Sequence, residues 1–270
     1  LKMKKVLYLV PSLNLINQTL KEWLSYSEHI FKPICVCSDS GTSEIYEQKD
    51  KWLISEKDVG IPVLKNEKDI HKSLNNLSNY VIFCTYQSTH LISKLQANKK
   101  RITFDIIFCD EAHNCAGDGF KRSGLVLDNK KIRAEKRLFM TATPINLDQN
   151  IKNKAFEKKQ EVSSMDDISK FGNVFHTLTF REAVQKKILV PYQIIFQEVK
   201  RSEADVIEKI INRKLVRIPK IEYIDAESIA CDIALIKSMK NYNIRKVITF
   251  HRLIKFARYF SITLPLVWQW

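Results

Sequence analysis

Phe104-Asp-Ile-Ile-Phe-Cys-Asp-Glu-Ala-His113 is the stretch on which the reading of this chain turns. Its first six residues form an apolar run of strand length, and a run this short reads as a buried strand. Asp110 and Glu111 then stand at the strand's C-terminal end. Further on, a second apolar run, Arg137-Leu-Phe-Met-Thr-Ala-Thr-Pro144, ends in Thr141 and Thr143 and is stopped by a proline. Each motif has a plain structural use. Acidic side chains stabilise the start of a following helix, and threonine hydroxyls cap loop amides. Neither use accounts for the other motif.

Around these two runs, strands and helices alternate, which predicts an α/β fold with a mostly parallel sheet. Strands are expected at 6–10, 32–37, 80–85, 104–109 and 137–140, and further on at 192–199 and 246–250. Helical spacing marks 13–24, 69–79, 89–97, 225–239 and 253–260. Thr179-x-x-Glu182 is a capping-box string that opens a helix at 180–188. Residues 39–60 read as loop and short helix. Pro191 suggests a boundary, with a first lobe at 1–189 and a second at 190–270. Residues 261–270 carry no charge and fit a chain cut or shifted in frame within the second lobe.

The 270 residues are 45% hydrophobic, enough for a core, and no apolar run approaches a membrane span. The short apolar stretch after Lys4-Lys5 reads as a strand rather than a leader. Six cysteines show no Cys-x-x-Cys spacing, so buried reduced thiols in a cytoplasmic protein are expected. The net charge of +14 is spread along the chain and favours contact with a polyanion.

Read together, the acidic tetrapeptide and Thr-Ala-Thr resemble the second and third signature motifs of superfamily 2 helicases and translocases. Further segments narrow the likeness: Val10-Pro-Ser-Leu13 with Gln18, Phe83-Cys-Thr-Tyr-Gln-Ser88, Ala116-Gly-Asp-Gly-Phe120, Ser164-Met-Asp-Asp167, and 171–184. This series resembles the helicase-like motor of type ISP restriction-modification enzymes, relatives of the type I and type III motors. Val247-Ile-Thr-Phe-His-Arg252 resembles the motif that opens the second lobe.

The resemblance implies a RecA-like P-loop NTPase lobe, a parallel sheet flanked by helices, followed by the start of a second such lobe. It implies ATP and Mg2+ as cofactors and double-stranded DNA as partner, with nuclease and methyltransferase domains elsewhere in a longer polypeptide. Asp110 would hold the magnesium through its waters, and Glu111 would polarise the attacking water. His113 would bond to Thr141 or Thr143 and link hydrolysis to lobe movement. Pro11, Ser12 and Gln18 would touch the nucleic-acid backbone, as would Thr85, Gln87 and Ser88, while the Tyr86 ring reads as core. An unwinding helicase of another superfamily 2 branch and a non-catalytic nucleic-acid-binding remnant stand as alternatives.

One departure matters. A motor of this kind cradles phosphates in Gly-x-x-x-x-Gly-Lys-Ser/Thr. None of the six glycines here is followed by lysine. In the family that segment precedes the Val-Pro-Ser-Leu motif, so it is expected upstream of Leu1. The family's arginine finger is expected beyond Trp270, and its loss costs roughly 10³–10⁵ in rate in related phosphoryl-transfer enzymes. The chain alone is therefore expected not to turn over ATP.

Overall fold

The computed structural model describes residues 3–28, 30–38, 60–99, 102–118, 122–158, 160–215 and 226–269. Nearly all of the 39–60 stretch lies outside them. The chain divides into two compact units, Leu1–His176 and Thr177–Trp270. This division falls ahead of the proposed 189/190 boundary, and Pro191 lies inside the second unit.

Unit 1 is built on strands β1 (Lys5–Val10), β2 (Lys32–Val36), β3 (Val63–Leu64), β4 (Tyr80–Thr85) and β5 (Phe104–Cys109), and on an edge strand, Ala134–Phe139. A short antiparallel pair, β6 (Gly117–Asp118) and β8 (Val162–Ser163), lies apart, so the edge strand is β7. The main sheet runs β3-β2-β4-β1-β5-β7 with every neighbour parallel. Its helices are α1 (Leu13–Tyr26), α2 (Glu67–Leu74), α3 (Thr89–Asn98), α4 (Gln149–Glu157) and α5 (Ile168–Phe171).

The continuous apolar runs follow from burial on both faces, which is the rule for parallel sheets. Along β1, Leu7 and Leu9 pack with Ile70, Leu74, Leu91 and Leu95 of α2 and α3. The alternate residues Val6, Tyr8 and Val10 pack with Ile16 and Leu20 of α1. Each fully buried aliphatic side chain contributes about 1.5–3 kcal/mol. Asp105 pins the far end, its Oδ2 accepting from the Lys4 and Lys5 amides at 2.6 and 3.0 Å.

Two boundaries moved for local reasons. The helix expected at 69–79 starts at Glu67, because Asn66 Oδ1 accepts from the Asp69 amide at 3.0 Å. It stops at Leu74, and Asn76 turns left-handed at φ 63°. Strand β7 begins at Ala134, before the apolar run, because Phe104 supplies a ladder partner there. Its exposed Glu135 and Lys136 are tolerated on an edge strand.

Unit 2 holds α6 (Phe180–Gln185), α7 (Arg201–Leu215), α8 (Ala226–Asn241) and α9 (Ile254–Trp268). The capping box forms: Thr179 Oγ1 accepts from the Glu182 amide at 3.2 Å, and Glu182 Oε2 accepts from the Thr179 amide at 3.0 Å. Ala204, Ile207, Ile229, Ile233, Ile236 and Val267 make the unit's core. The strands expected at 192–199 and 246–250 do not form. A strand needs a neighbour to receive its backbone hydrogen bonds, and among the described residues none pairs with either segment; Phe196 and Phe250 are 93% and 94% exposed. Residues 261–268 join the preceding helix instead of standing apart, because Thr263 and Val267 are buried on its inner face.

Five cysteines are buried thiols, as expected; Cys231 is exposed. Among the described residues no helix is long and apolar enough to cross a membrane.

Candidate functional site

Parallel pairing places the C-terminal ends of four neighbouring strands on one rim. Val10 is opposite Thr85, Leu9 is opposite Cys109, and Cys109 is opposite Phe139. The chain continues the ladder past both motif strands. The Asp110 amide donates to the Leu9 carbonyl at 2.9 Å, the Met140 amide to Cys109 at 2.9 Å, and the Ala112 amide to Met140 at 2.8 Å. The residues following β5 and β7 are therefore held side by side.

Asp110 is tied through several atoms. Its Oδ1 accepts from the Glu111 amide at 3.0 Å, and its Oδ2 accepts from the Tyr8 hydroxyl at 3.3 Å. Its carbonyl accepts from the Tyr86 hydroxyl at 2.7 Å. Burial, reinforced by the Asp110 carboxylate, pushes the Tyr8 phenol up to about 12. Burial, with the Cys109 and Cys115 thiols beside it, raises Tyr86 further. Both phenols therefore stay protonated and remain donors. Tyr86 is 4% exposed, in keeping with a core ring.

Glu111 sits at φ 49°, ψ 49°, in the left-handed region. A non-glycine residue pays of order 1–3 kcal/mol to stay there. Its side chain is 42% exposed. Its Oε2 lies 3.3 Å from His113 Nδ1.

His113 opens towards the second motif. Its Nδ1 lies 3.0 Å from Thr141 Oγ1 and 3.4 Å from Thr143 Oγ1. Asn114 orients the ring: its amide nitrogen donates to the Glu111 carbonyl at 2.9 Å and faces His113 Nε2 at 3.4 Å. With Nε2 accepting, Nδ1 carries the proton and donates towards the threonine hydroxyls. The Thr143 amide donates to Thr141 Oγ1 at 3.1 Å. Asp110, Glu111, His113, Thr141 and Thr143 thus gather in one place. Asn114, Tyr8 and Tyr86 complete the setting, and the motif strings alone did not mark the first two.

A magnesium ion prefers one or two carboxylates together with waters and phosphate oxygens. Asp110, a partly exposed carboxylate at a strand end, fits that donor set. Among the described residues no cluster of three acidic, histidine or cysteine ligands stands ready to cage a metal. The chain has no Gly-Lys step to cradle the phosphates.

The expected nucleic-acid contacts divide. Pro11 and Ser12 follow β1 on the rim, where Ser12 caps α1 by accepting from the Leu15 amide at 3.4 Å. Gln18 is exposed on α1, with its amide 3.4 Å from Glu22 Oε1. Thr85 and Ser88 are 1% and 0% exposed. Their hydroxyls lie 2.8 Å apart, and Ser88 Oγ accepts from the Ser38 amide at 2.7 Å. These hydroxyls face inward, so the placement does not offer them to a phosphate. Gln87 between them is exposed. Its carbonyl is 2.9 Å from His90 Nδ1 and 3.4 Å from Arg122 Nη1. No periodicity marked His90 or Arg122; folding alone brings them to Gln87.

The family described as "Type III restriction enzyme, res subunit" matches residues 1–146. The probable helicase A859L of African swine fever virus is 32% identical over 142 residues, covering 52% of this chain and 14% of that protein. Among solved structures, the ATP-dependent type ISP restriction-modification enzyme LlaBIII bound to DNA is similar over 98% of this chain, at 26% identity and a TM-score of 0.71. A nuclease-deletion mutant of the type ISP enzyme LlaGI, in complex with a DNA substrate mimic, is similar over 78%, at 29% identity and a TM-score of 0.52. The chain spans 18% of the length of each of these two enzymes.

Proposed function

The chain belongs to the family of the type III restriction enzyme res subunit, a superfamily 2 helicase-like domain with a RecA-like sheet, and we propose that it is part of an ATP-dependent DNA translocase of the restriction-modification kind. The observation that carries this reading is the contact of His113 Nδ1 with both Thr141 Oγ1 and Glu111 Oε2, at 3.0 and 3.3 Å. It joins the hydrolytic carboxylate to the strand that lies beside it. The likeness to one type ISP enzyme bound to DNA and to another in complex with a DNA substrate mimic supports DNA as the track, which we take to be duplex.

In this reading Asp110 would hold Mg2+, and Tyr8 and the Glu111 amide fix the direction of the carboxylate. The ion, when bound, neutralises developing charge on the phosphates. Glu111, half-exposed on its left-handed turn, polarises the water. His113 reads the state of Glu111 and passes it to Thr141 and Thr143. Gln87, with Pro11, Ser12 and Gln18, touches the DNA backbone. Nuclease and methyltransferase domains belong to a longer parent protein.

Two measurements test this. Duplex DNA should bind the 270-residue chain with an affinity that falls steeply with salt. Phosphate release with and without duplex should stay at the level of a Glu111→Gln control, since the chain holds no phosphate cradle. Turnover well above that control would refute the view of this chain as an incomplete motor. Sequencing upstream of Leu1 adds a direct check: an in-frame phosphate-cradling motif supports the motor, and its lack favours a nucleic-acid-binding remnant. The likeness to a viral probable helicase favours a second reading, an unwinding enzyme. Strand separation by a longer protein carrying this lobe would support it over translocation alone.

A further inference from the structure

A part-buried hydrogen bond joins the exposed rim turn at Gln87 to the turn that aims Glu111. Tyr86 opens the 3-10 turn Tyr86–Ser88, and its hydroxyl crosses to the Asp110 carbonyl at 2.7 Å. On the rim side the turn is held firmly. Thr85 Oγ1 and Ser88 Oγ lie 2.8 Å apart, Ser88 Oγ takes the Ser38 amide at 2.7 Å, and Thr89 Oγ1 bonds the Tyr86 carbonyl at 2.8 Å. A displacement of Gln87 is therefore carried by a stiff unit that includes the Tyr86 ring.

On the receiving side, the Asp110 carbonyl and the Glu111 amide belong to one peptide plane. That plane is clamped at both polar ends: Tyr86 holds the carbonyl, and Asp110 Oδ1 holds the amide at 3.0 Å. Its orientation sets the φ of Glu111, which is 49°. A non-glycine residue leaves that region readily once the clamp opens, because the ordinary helical and extended regions lie lower in energy. Release of the clamp would let the turn reach a second conformation, as a coupling element requires.

We propose that Tyr86 is a positioning residue that couples nucleic-acid contact at Gln87 to the backbone torsion that aims Glu111. The inference rests on the reading that this rim binds duplex DNA. It also gives Tyr86 a use beyond filling the core, since a phenylalanine would fill the same space.

The test is residue-resolved amide exchange of the 270-residue chain, free and saturated with a short duplex. In the wild type, exchange at Glu111 and Ala112 should slow by about tenfold on binding, within the usual range of coupling between sites. In Tyr86→Phe, duplex should still bind and still protect the Tyr86–Ile92 segment, but the slowing at Glu111 should fall below about twofold. Gln87→Ala gives a second arm in case the first variant is unstable. It keeps the Tyr86 bond and removes the rim contact, so at equal occupancy the slowing at Glu111 should again be lost. A saturated wild type with unchanged exchange at Glu111 would overturn the proposal, as would either variant retaining the full effect. Failure of the wild type to bind duplex at all would instead show in the binding isotherm and would remove the underlying DNA-binding reading along with the coupling.

Discussion

His113 and Thr141, 28 residues apart in sequence, meet at 3.0 Å between Nδ1 and Oγ1 across the ends of two neighbouring strands. The bond is partly buried, and it is the most direct side-chain link between the two motif loops. Its removal from either end should cost the same interaction. A double-mutant cycle of His113→Ala and Thr141→Val, read by urea unfolding, should return a coupling of about 0.5–1.5 kcal/mol. Additive effects would mean that the two side chains do not interact in solution.

The left-handed turn at Glu111 predicts an unusual gain. Glu111→Gly removes the backbone cost of φ 49° and should raise stability by about 1 kcal/mol, read as a higher Tm. Loss of the half-exposed contact with His113 offsets little of it. Glu111→Gln keeps the strain and should leave the Tm near that of the wild type. A residue selected for packing would show the opposite order.

Asp232 gives unit 2 a pH dependence. It is 1% exposed, and burial pushes its carboxyl from 3.8 to about 6, against a smaller opposing effect from Thr263. That hydroxyl donates instead to the Tyr259 carbonyl at 3.2 Å. Because the folded value is raised, the folded state binds the proton more tightly than the unfolded chain. Stability therefore rises as pH falls from above 6 towards 4 and is lowest where Asp232 is charged. Asp232→Asn should stabilise the chain at pH 7 by up to about 3 kcal/mol and give almost no gain near pH 4. Chemical unfolding at the two pH values checks it.

Burial separates two apolar substitutions of similar size. Ile107 is fully buried between β1 and β7, and Ile107→Ala should cost about 2–5 kcal/mol. Phe250 is 94% exposed, so Phe250→Ser should change stability by no more than about 0.5 kcal/mol while reducing self-association. Urea unfolding and light scattering separate the two effects.

Arg122 is the cation that folding brings to Gln87, and it has no carboxylate partner among the described residues. If it neutralises a phosphate, Arg122→Ala should weaken duplex binding across all sequences alike. The slope of log affinity against log salt should fall by about 1. An unchanged slope would remove Arg122 from the interface.

The longer strands and the sheet-covering helices of unit 1 were legible in the sequence, whereas the two-residue strands β3, β6 and β8 were not. Runs such as 80–85 and 104–109 are short, wholly apolar and bounded by polar residues, because a strand covered on both faces excludes charge along its whole length. The acidic and threonine motifs were legible for a related reason, since each ends such a run. The strands expected at 192–199 and 246–250 are absent from the structure because local composition records what a segment suits, whereas a ladder needs a second chain segment to receive its hydrogen bonds. The inward placement of the Thr85 and Ser88 hydroxyls was not legible, because a hydroxyl's direction follows from the turn at 86–88, not from its spacing.

Local pattern thus specified which segments become buried strands and which side chains could carry chemistry, since hydrophobic burial and chain stops act over a few residues. What required the assembled fold was the meeting of distant groups. Tyr8 and Tyr86 reach Asp110, and His113 reaches Thr141, only because parallel pairing brings strand ends far apart in sequence to within hydrogen-bond length on one rim. Those contacts depend on register and backbone direction, which no single stretch of the chain encodes.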